Sequence, residues 1–148
     1  MKPAPHRLEI DSYRLTKIIP TRLGDVNAAR HVSNTAIAGI YDDARYDVLM
    51  RVLPDLERSR GARSVMAQTN LRYIEEIHHP SPLTVATAVS RIGRSSFELF
   101  QGLFRGGVCV GLCDTTYVHC DAAGPSPLDD GKREMLMSMA YKLPVAQA

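Results

Sequence analysis

Cysteine is scarce in this sequence: there are three, an odd number, and none stands in Cys-x-x-Cys spacing. That argues against a disulfide framework and against a cysteine zinc site, and it fits a reduced compartment, so a cytoplasmic location is expected. Net charge is scarce too. At +2 it leaves no footprint for a nucleic-acid partner, although scattered arginines suit a small phosphate-bearing ligand. No apolar run approaches the roughly 18 residues a membrane helix needs, and the opening stretch MKPAPHRLEIDSY holds no apolar secretion core. Repeats and low-complexity tracts are absent, as are a Gly-x-Ser-x-Gly elbow, a Walker loop and a Rossmann glycine fingerprint.

What is present is an ordinary globular composition, 148 residues with 45% apolar and 23% charged side chains, enough for one domain over 1–148 with a real core. The strongest periodic signal follows Ser33. Ile37, Ile40, Tyr41, Ala44 and Val48 recur at steps of three and four, which predicts one long helix with a single buried stripe. Asp42, Asp43 and Asp47 fall off that stripe, and either Ser33 or Asn34 can cap its start. Ala36, Ala38 and Gly39 keep its first turns thin, as a closely wrapped helix would need. Pro54 ends it, with a short further turn expected to reach Ser59.

The flanking segments read as strands. Tyr13 to Ile19 alternate well enough for one, after a loose N-terminal arm at residues 1–11 that has little to bury. Four more are expected: Val65 to Ile77, Leu83 to Ile92, Ser96 to Phe104 and Val108 to Cys120, with a hairpin at Arg105-Gly106-Gly107. In the last of these, alternation places Val108, Val110 and Leu112 on one face and Cys109, Gly111 and Cys113 on the other. Residues 124–148 form a C-terminal extension, with a short helix expected over 128–141 whose apolar side is Met135, Leu136 and Met139. Strand, long helix and four strands in meander give an α+β fold, a five-stranded antiparallel sheet curled around one helix. Such a sheet has open edges, and a second copy is the simplest cover, so a homodimer is expected.

Arg22-Leu23-Gly24-Asp25-Val26-Asn27-Ala28-Ala29-Arg30-His31-Val32-Ser33-Asn34, followed by Tyr41-Asp42-Asp43-Ala44-Arg45, resembles the signature of hotdog-fold acyl-CoA thioesterases of the 4-hydroxybenzoyl-CoA type. That family usually reads Arg-x-x-Asp-x-Asp-x-x-Gly-His-Val-Asn-Asn, then an acidic pair and Ala-Arg on the helix. Tyr73-Ile74-Glu75-Glu76-Ile77 and Gly93-Arg94-Ser95-Ser96-Phe97 are similar to its strand motifs, and the likeness covers residues 13–121. The resemblance implies a hotdog fold, a homodimer or dimer of dimers, an acyl-CoA or acyl carrier protein thioester as substrate, and no metal or redox cofactor.

The departure falls at the family's catalytic carboxylate, where this chain has Asn27. An amide cannot take the proton a carboxylate takes, and losing a general base costs roughly 10² to 10⁴ in rate. Three alternatives follow. Asn27 orients a water or the carbonyl while Arg45 stabilises the oxyanion, as in similar polyketide-chain thioesterases with an Asp-x-Asn loop. Asp25 or Asp42 takes the acidic role. Or the fold binds an acyl ligand without cleaving it.

Each residue also has a plainer role open to it. Asn27 suits an Asx turn, Asn34 a helix cap whose backbone N–H the resemblance makes an oxyanion donor, and Arg45 a helix-face ion pair. His31 is a substrate-side proton carrier or a structural hydrogen-bonder. Thr69 and Asn70, polar in an apolar strand, line the acyl pocket or mark a bend. Arg94, Ser95 and Ser96, which in the resembling family face the coenzyme A arm, are otherwise an exposed turn. His78 and His79 read as turn residues.

Overall fold

The long helix is where the periodicity puts it. The structure, a computed structural model describing residues 1–54, 58 and 60–142, has α1 at Asn34–Val52. Ser33 is its N-cap, its Oγ accepting the Ala36 N–H at 3.1 Å. Ile37, Ile40, Tyr41, Ala44 and Val48 are all buried, and Arg45 and Val52 with them. The helix ends before Pro54; of the further turn expected to Ser59, residues 55–57 and 59 lie outside the described residues.

Around it runs an antiparallel sheet of β1 (Leu15–Pro20), β2 (Arg63–Tyr73), β3 (Pro82–Ile92), β4 (Ser96–Arg105) and β5 (Val108–Asp121). A two-residue β6 (Gly124–Pro125) pairs with β5, and α2 (Asp130–Ser138) follows. One long helix against a curled antiparallel sheet is the expected hotdog arrangement. The strand order is β1-β3-β4-β5-β2, so only β3, β4 and β5 form the meander. The expected hairpin between β2 and β3 is replaced by a crossover. Residues 74–81 leave one edge of the sheet, pass the start of α1 and enter at the far side, with Ile77 buried on the way. The Val32 N–H donates to the Ile77 carbonyl at 2.8 Å, tying that crossover to the loop before the helix.

Two apolar clusters lie on the helix side of the sheet. Ile37, Ile40, Tyr41 and Ala44 meet Ile77, Leu83, Val85, Leu103, Val110 and Cys113 near the start of α1. Val48 and Val52 meet Phe97, Leu99, Tyr117, Leu128, Leu136 and Met139 near its end. Met135, expected on the apolar side of the C-terminal helix, is exposed, and Leu128 fills that place. The expected faces of β5 also change. The pairing shifts between Leu103 and Phe104, which face Gly111 and Cys109, so Val110 is an extra residue in β5. That bulge turns Val110 to the helix side with Cys113, and leaves Cys109 with Leu112 on the other face.

The outer face is covered by the segment expected to be a loose arm. Short 3₁₀ turns at Pro5–Leu8 and Ile10–Ser12 lie across it. Arg7 pairs with Asp114 and sits 4.0 Å over the Phe100 ring, while the Tyr13 hydroxyl donates to the Arg7 carbonyl at 2.8 Å. Tyr13 and Tyr141 cross edge to face, so the N-terminal segment and the end of the described chain close over one aromatic patch. No helix among the described residues is long and apolar enough to cross a membrane.

Candidate functional site

The segment before α1 is built by its own polar side chains. The Asn27 Oδ1 accepts the N–H groups of Ala29 at 3.0 Å and His31 at 3.2 Å, an Asx-type turn. Backbone bonds from Asn27 N–H to His31 and from Arg30 N–H to Asn27, each 2.9 Å, close it, and Val26 bridges Val32 at its base. Arg30 takes φ 65°, the left-handed region, at the position where the resembling family has glycine.

At the helix start the Ala36 N–H is capped by Ser33 and the Ile37 N–H bonds the Ser33 carbonyl at 3.0 Å. The N–H groups of Asn34 and Thr35 have no partner in the protein among the described residues. They carry the partial positive charge of the helix end.

Two cavities flank that end. One, of ≈ 280 Å³, lies between the Asn27 loop, the helix start and the crossover; Asn27, His31, Asn34, Ile37, Tyr73 and Glu76 are among its walls. The other, of ≈ 670 Å³, includes Pro20, Arg22, Asp25, Ser33, Thr35 and Gly39. Gly39 was expected to admit a close neighbour, but open space stands where its Cβ would be.

The expected site residues are therefore divided. Asn27, Asn34 and His31 share the smaller cavity. Asp25 faces the larger one, buried, with its carboxylate accepting the Arg22 N–H at 2.8 Å and the Arg22 Nη2 at 3.2 Å. Arg45, expected at the oxyanion, stands roughly 16 Å farther along the helix axis, given a rise of 1.5 Å per residue. It is buried against the sheet. Its Nε donates to the Tyr117 hydroxyl at 3.1 Å, its Nη1 to the Gln101 Oε1 at 3.0 Å and Thr115 Oγ1 at 3.3 Å, and its Nη2 to Asp42 at 3.2 Å. Gln101 passes the network on to the Tyr41 carbonyl and the Thr87 hydroxyl, both at 3.1 Å. Burial raises the Tyr117 hydroxyl above its ordinary pKa against the opposing pull of Arg45, so it is a neutral partner.

Thr69, exposed on the edge strand β2, joins this network from outside, 3.2 Å from Thr115 Oγ1. Asn70 faces the opposite side of the sheet, in a cavity with Arg7 and Asp114, because neighbouring strand residues point to opposite faces. They cannot line one pocket together. Arg94, Ser95 and Ser96 sit at the start of β4, roughly 24 Å along the strand from the Leu103 end that meets the helix start.

Glu76 was not singled out in the sequence. Its Oε2 lies 3.2 Å from the His31 Nε2 at the edge of the smaller cavity, and Glu75 beside it is held by Arg105 at 2.9 Å. The available signal was a carboxylate and His78 two residues apart in the segment following β2.

A family model described as the thioesterase-like superfamily matches residues 21–138. No curated protein sequence matches the chain. Among solved structures, it is similar to a predicted thioesterase from Bacillus stearothermophilus, with a TM-score of 0.80, 23% identity, and 87% of this chain and 98% of that one covered. It is also similar to the PA5185 protein from Pseudomonas aeruginosa strain PAO1, with a TM-score of 0.82, 19% identity, and coverage of 93% and 99%. A thioesterase from Thermus thermophilus, solved with coenzyme A and Zn, aligns with a TM-score of 0.79, 21% identity, and coverage of 91% and 99%.

Proposed function

Because this chain belongs to the thioesterase-like superfamily, we propose that it hydrolyses an acyl thioester of coenzyme A or of an acyl carrier protein to free acid and thiol. The observation that carries this is the cavity where the Asn27 side chain meets the amino end of α1, with two N–H groups there lacking partners among the described residues. A thioester carbonyl at that end has its oxygen drawn by the Asn34 N–H, and a positioned donor of this kind contributes roughly 10² to 10³ in rate. The Asn27 amide orients the attacking water. Glu76 and His31, in contact at the cavity edge, are the groups placed to take its proton. The coenzyme A in the Thermus thermophilus structure supports a coenzyme A ester as the substrate class.

The functional unit in this proposal is a homodimer, or a dimer of dimers, paired edge to edge through β2. Within one chain Tyr73, Gly111 and Leu103 mark one end of the sheet and Val65, Val118 and Ser96 the other. Antiparallel pairing of two β2 edges reverses those ends. It carries Arg94 of the partner subunit towards the cavity at α1, where a guanidinium suits the phosphates of coenzyme A.

A second proposal, a non-catalytic acyl-ligand binder, is favoured by the Asn27 Oδ1 being occupied by two backbone N–H groups. Thiol release from a panel of acyl-CoAs separates the two. Hydrolysis predicts turnover that falls at least about tenfold in Asn27→Ala. A flat trace together with saturable acyl-CoA binding would establish the binder.

A further inference from the structure

We infer that His31, Glu76 and His78 form a binding site for one divalent transition-metal ion, of the zinc or cobalt type, at the rim of the cavity by α1. The His31 Nε2 is 3.2 Å from the Glu76 Oε2, and the His78 Nε2 is 3.9 Å from that same oxygen. The ligand atoms of all three lie within 4.8 Å of one another. The two imidazoles meet edge to face, with centroids 4.9 Å apart and planes at 84°, and the Nε2 of each lies near the same Glu76 oxygen. Ligands 2.0–2.2 Å from a tetrahedral zinc ion stand roughly 3.3 Å from each other. His31 and Glu76 are already at that spacing. His78, an exposed side chain, needs a rotation that moves its nitrogen by less than about 2 Å.

The backbone holds these side chains on one side. Val32 and Ile77 are buried and joined by the 2.8 Å bond from the Val32 N–H to the Ile77 carbonyl. His31 precedes one of them, and Glu76 and His78 flank the other. In extended chain the neighbours of an inward residue point outward, so the three polar side chains emerge together above the buried pair. The Asn27 Oδ1 fixes the His31 backbone from beneath at 3.2 Å. The next histidine is engaged elsewhere: the His79 Nδ1 lies 2.9 Å from the Thr21 Oγ1.

Two imidazoles and one carboxylate select zinc-like ions over magnesium or calcium, which prefer an all-oxygen shell. Three protein ligands leave a coordination position open. His31 and Glu76 are also the groups placed to take the proton at the cavity, so a bound ion occupies that base and the loaded and metal-free proteins are distinct states. The expectation of no metal rested on cysteine spacing and on the family resemblance, and a site gathered from two loops leaves no such spacing to read.

The test uses tag-free full-length protein and Co²⁺ as the probe, followed by visible absorption, with Zn²⁺ competition followed by calorimetry. The expected result is one Co²⁺ per chain with a ligand-field band of a four- or five-coordinate site, displaced by Zn²⁺. His31→Ala and His78→Ala, each checked for a native circular dichroism spectrum, should weaken binding at least tenfold, while His79→Ala leaves it unchanged. Absence of a saturable band, or a band unaltered in both His31→Ala and His78→Ala, would overturn the site. Because binding is read without turnover, that result and the failure of thioester hydrolysis are separate outcomes.

Discussion

Arg45 shows how a residue type can be legible and its place not. A positive side chain on a helix near a candidate oxyanion was an attractive partner for Asn27, but its position on α1 turns it into the sheet, among Gln101, Thr115 and Tyr117. Removing it strands buried polar atoms that it satisfies and opens a hole. Arg45→Ala should therefore lower unfolding free energy by about 2–4 kcal/mol in urea titration. Arg45→Lys should recover little, since one ammonium cannot reproduce the planar fork. Hydrolysis per folded molecule should change less than about threefold, well below the effect of losing an oxyanion donor. Asn27 is the opposite case. Its propensity for an Asx turn was readable, and the turn is present, yet the cavity beside it comes from the distant crossover. No local pattern announces that Glu76 arrives at His31, because a contact between residues 31 and 76 depends on how the chain crosses the sheet.

Among the elements, α1 was read most fully: its stripe, its cap and its end at Pro54 are all local physics. The strands were found too, but their faces were not, because a single extra residue reverses every position beyond it. The bulge at Val110 has a second consequence. Gly111 lies against the Tyr41 hydroxyl, where an added Cβ would stand at 2.8 Å, and 3.3 Å from the Arg72 carbonyl oxygen. That hydroxyl is buried without a hydrogen-bond partner among the described residues, and burial raises its pKa far above the ordinary tyrosine value. Tyr41→Phe should thus be neutral or stabilising by up to about 1 kcal/mol, since it removes an unsatisfied polar group. Gly111→Ala alone should cost about 1–3 kcal/mol by overpacking. In the Tyr41→Phe background the cost should shrink by on the order of 1 kcal/mol, a coupling that thermal and urea unfolding of the four proteins would measure. Additive effects would mean that the two residues do not press on each other.

For the whole molecule, the fold class was readable because one periodic helix and a series of alternating segments leave few layered solutions. Strand order was not readable: β2 could follow into a hairpin or cross to a place beside β1 on the far side of the sheet, and the crossing buries Ile77 beneath the helix start. The crossover leaves β2 as an edge, with Val65, Met66 and Tyr73 exposed along it. An open apolar edge of this length is an unstable surface for a lone chain. Sedimentation equilibrium should accordingly find twice the chain mass at micromolar concentration, and Met66→Lys should shift the population towards monomer. A wild-type protein that stays monomeric would remove the partner's Arg94 from the proposed site.

The most direct measurement of the central proposal, that a thioester is cleaved at the amino end of α1, is thiol release by Asn27→Asp beside the native chain. Aspartate keeps an Oδ1 acceptor for the N–H groups of Ala29 and His31, so the loop can hold its shape. It also adds a proton acceptor at the cavity wall. Hydrolysis there predicts a kcat changed at least about tenfold, since the side chain that holds the attacking water has gained a charge and a proton acceptor. Equal rates in the two proteins, with the variant folded and still binding acyl-CoA, would contradict it.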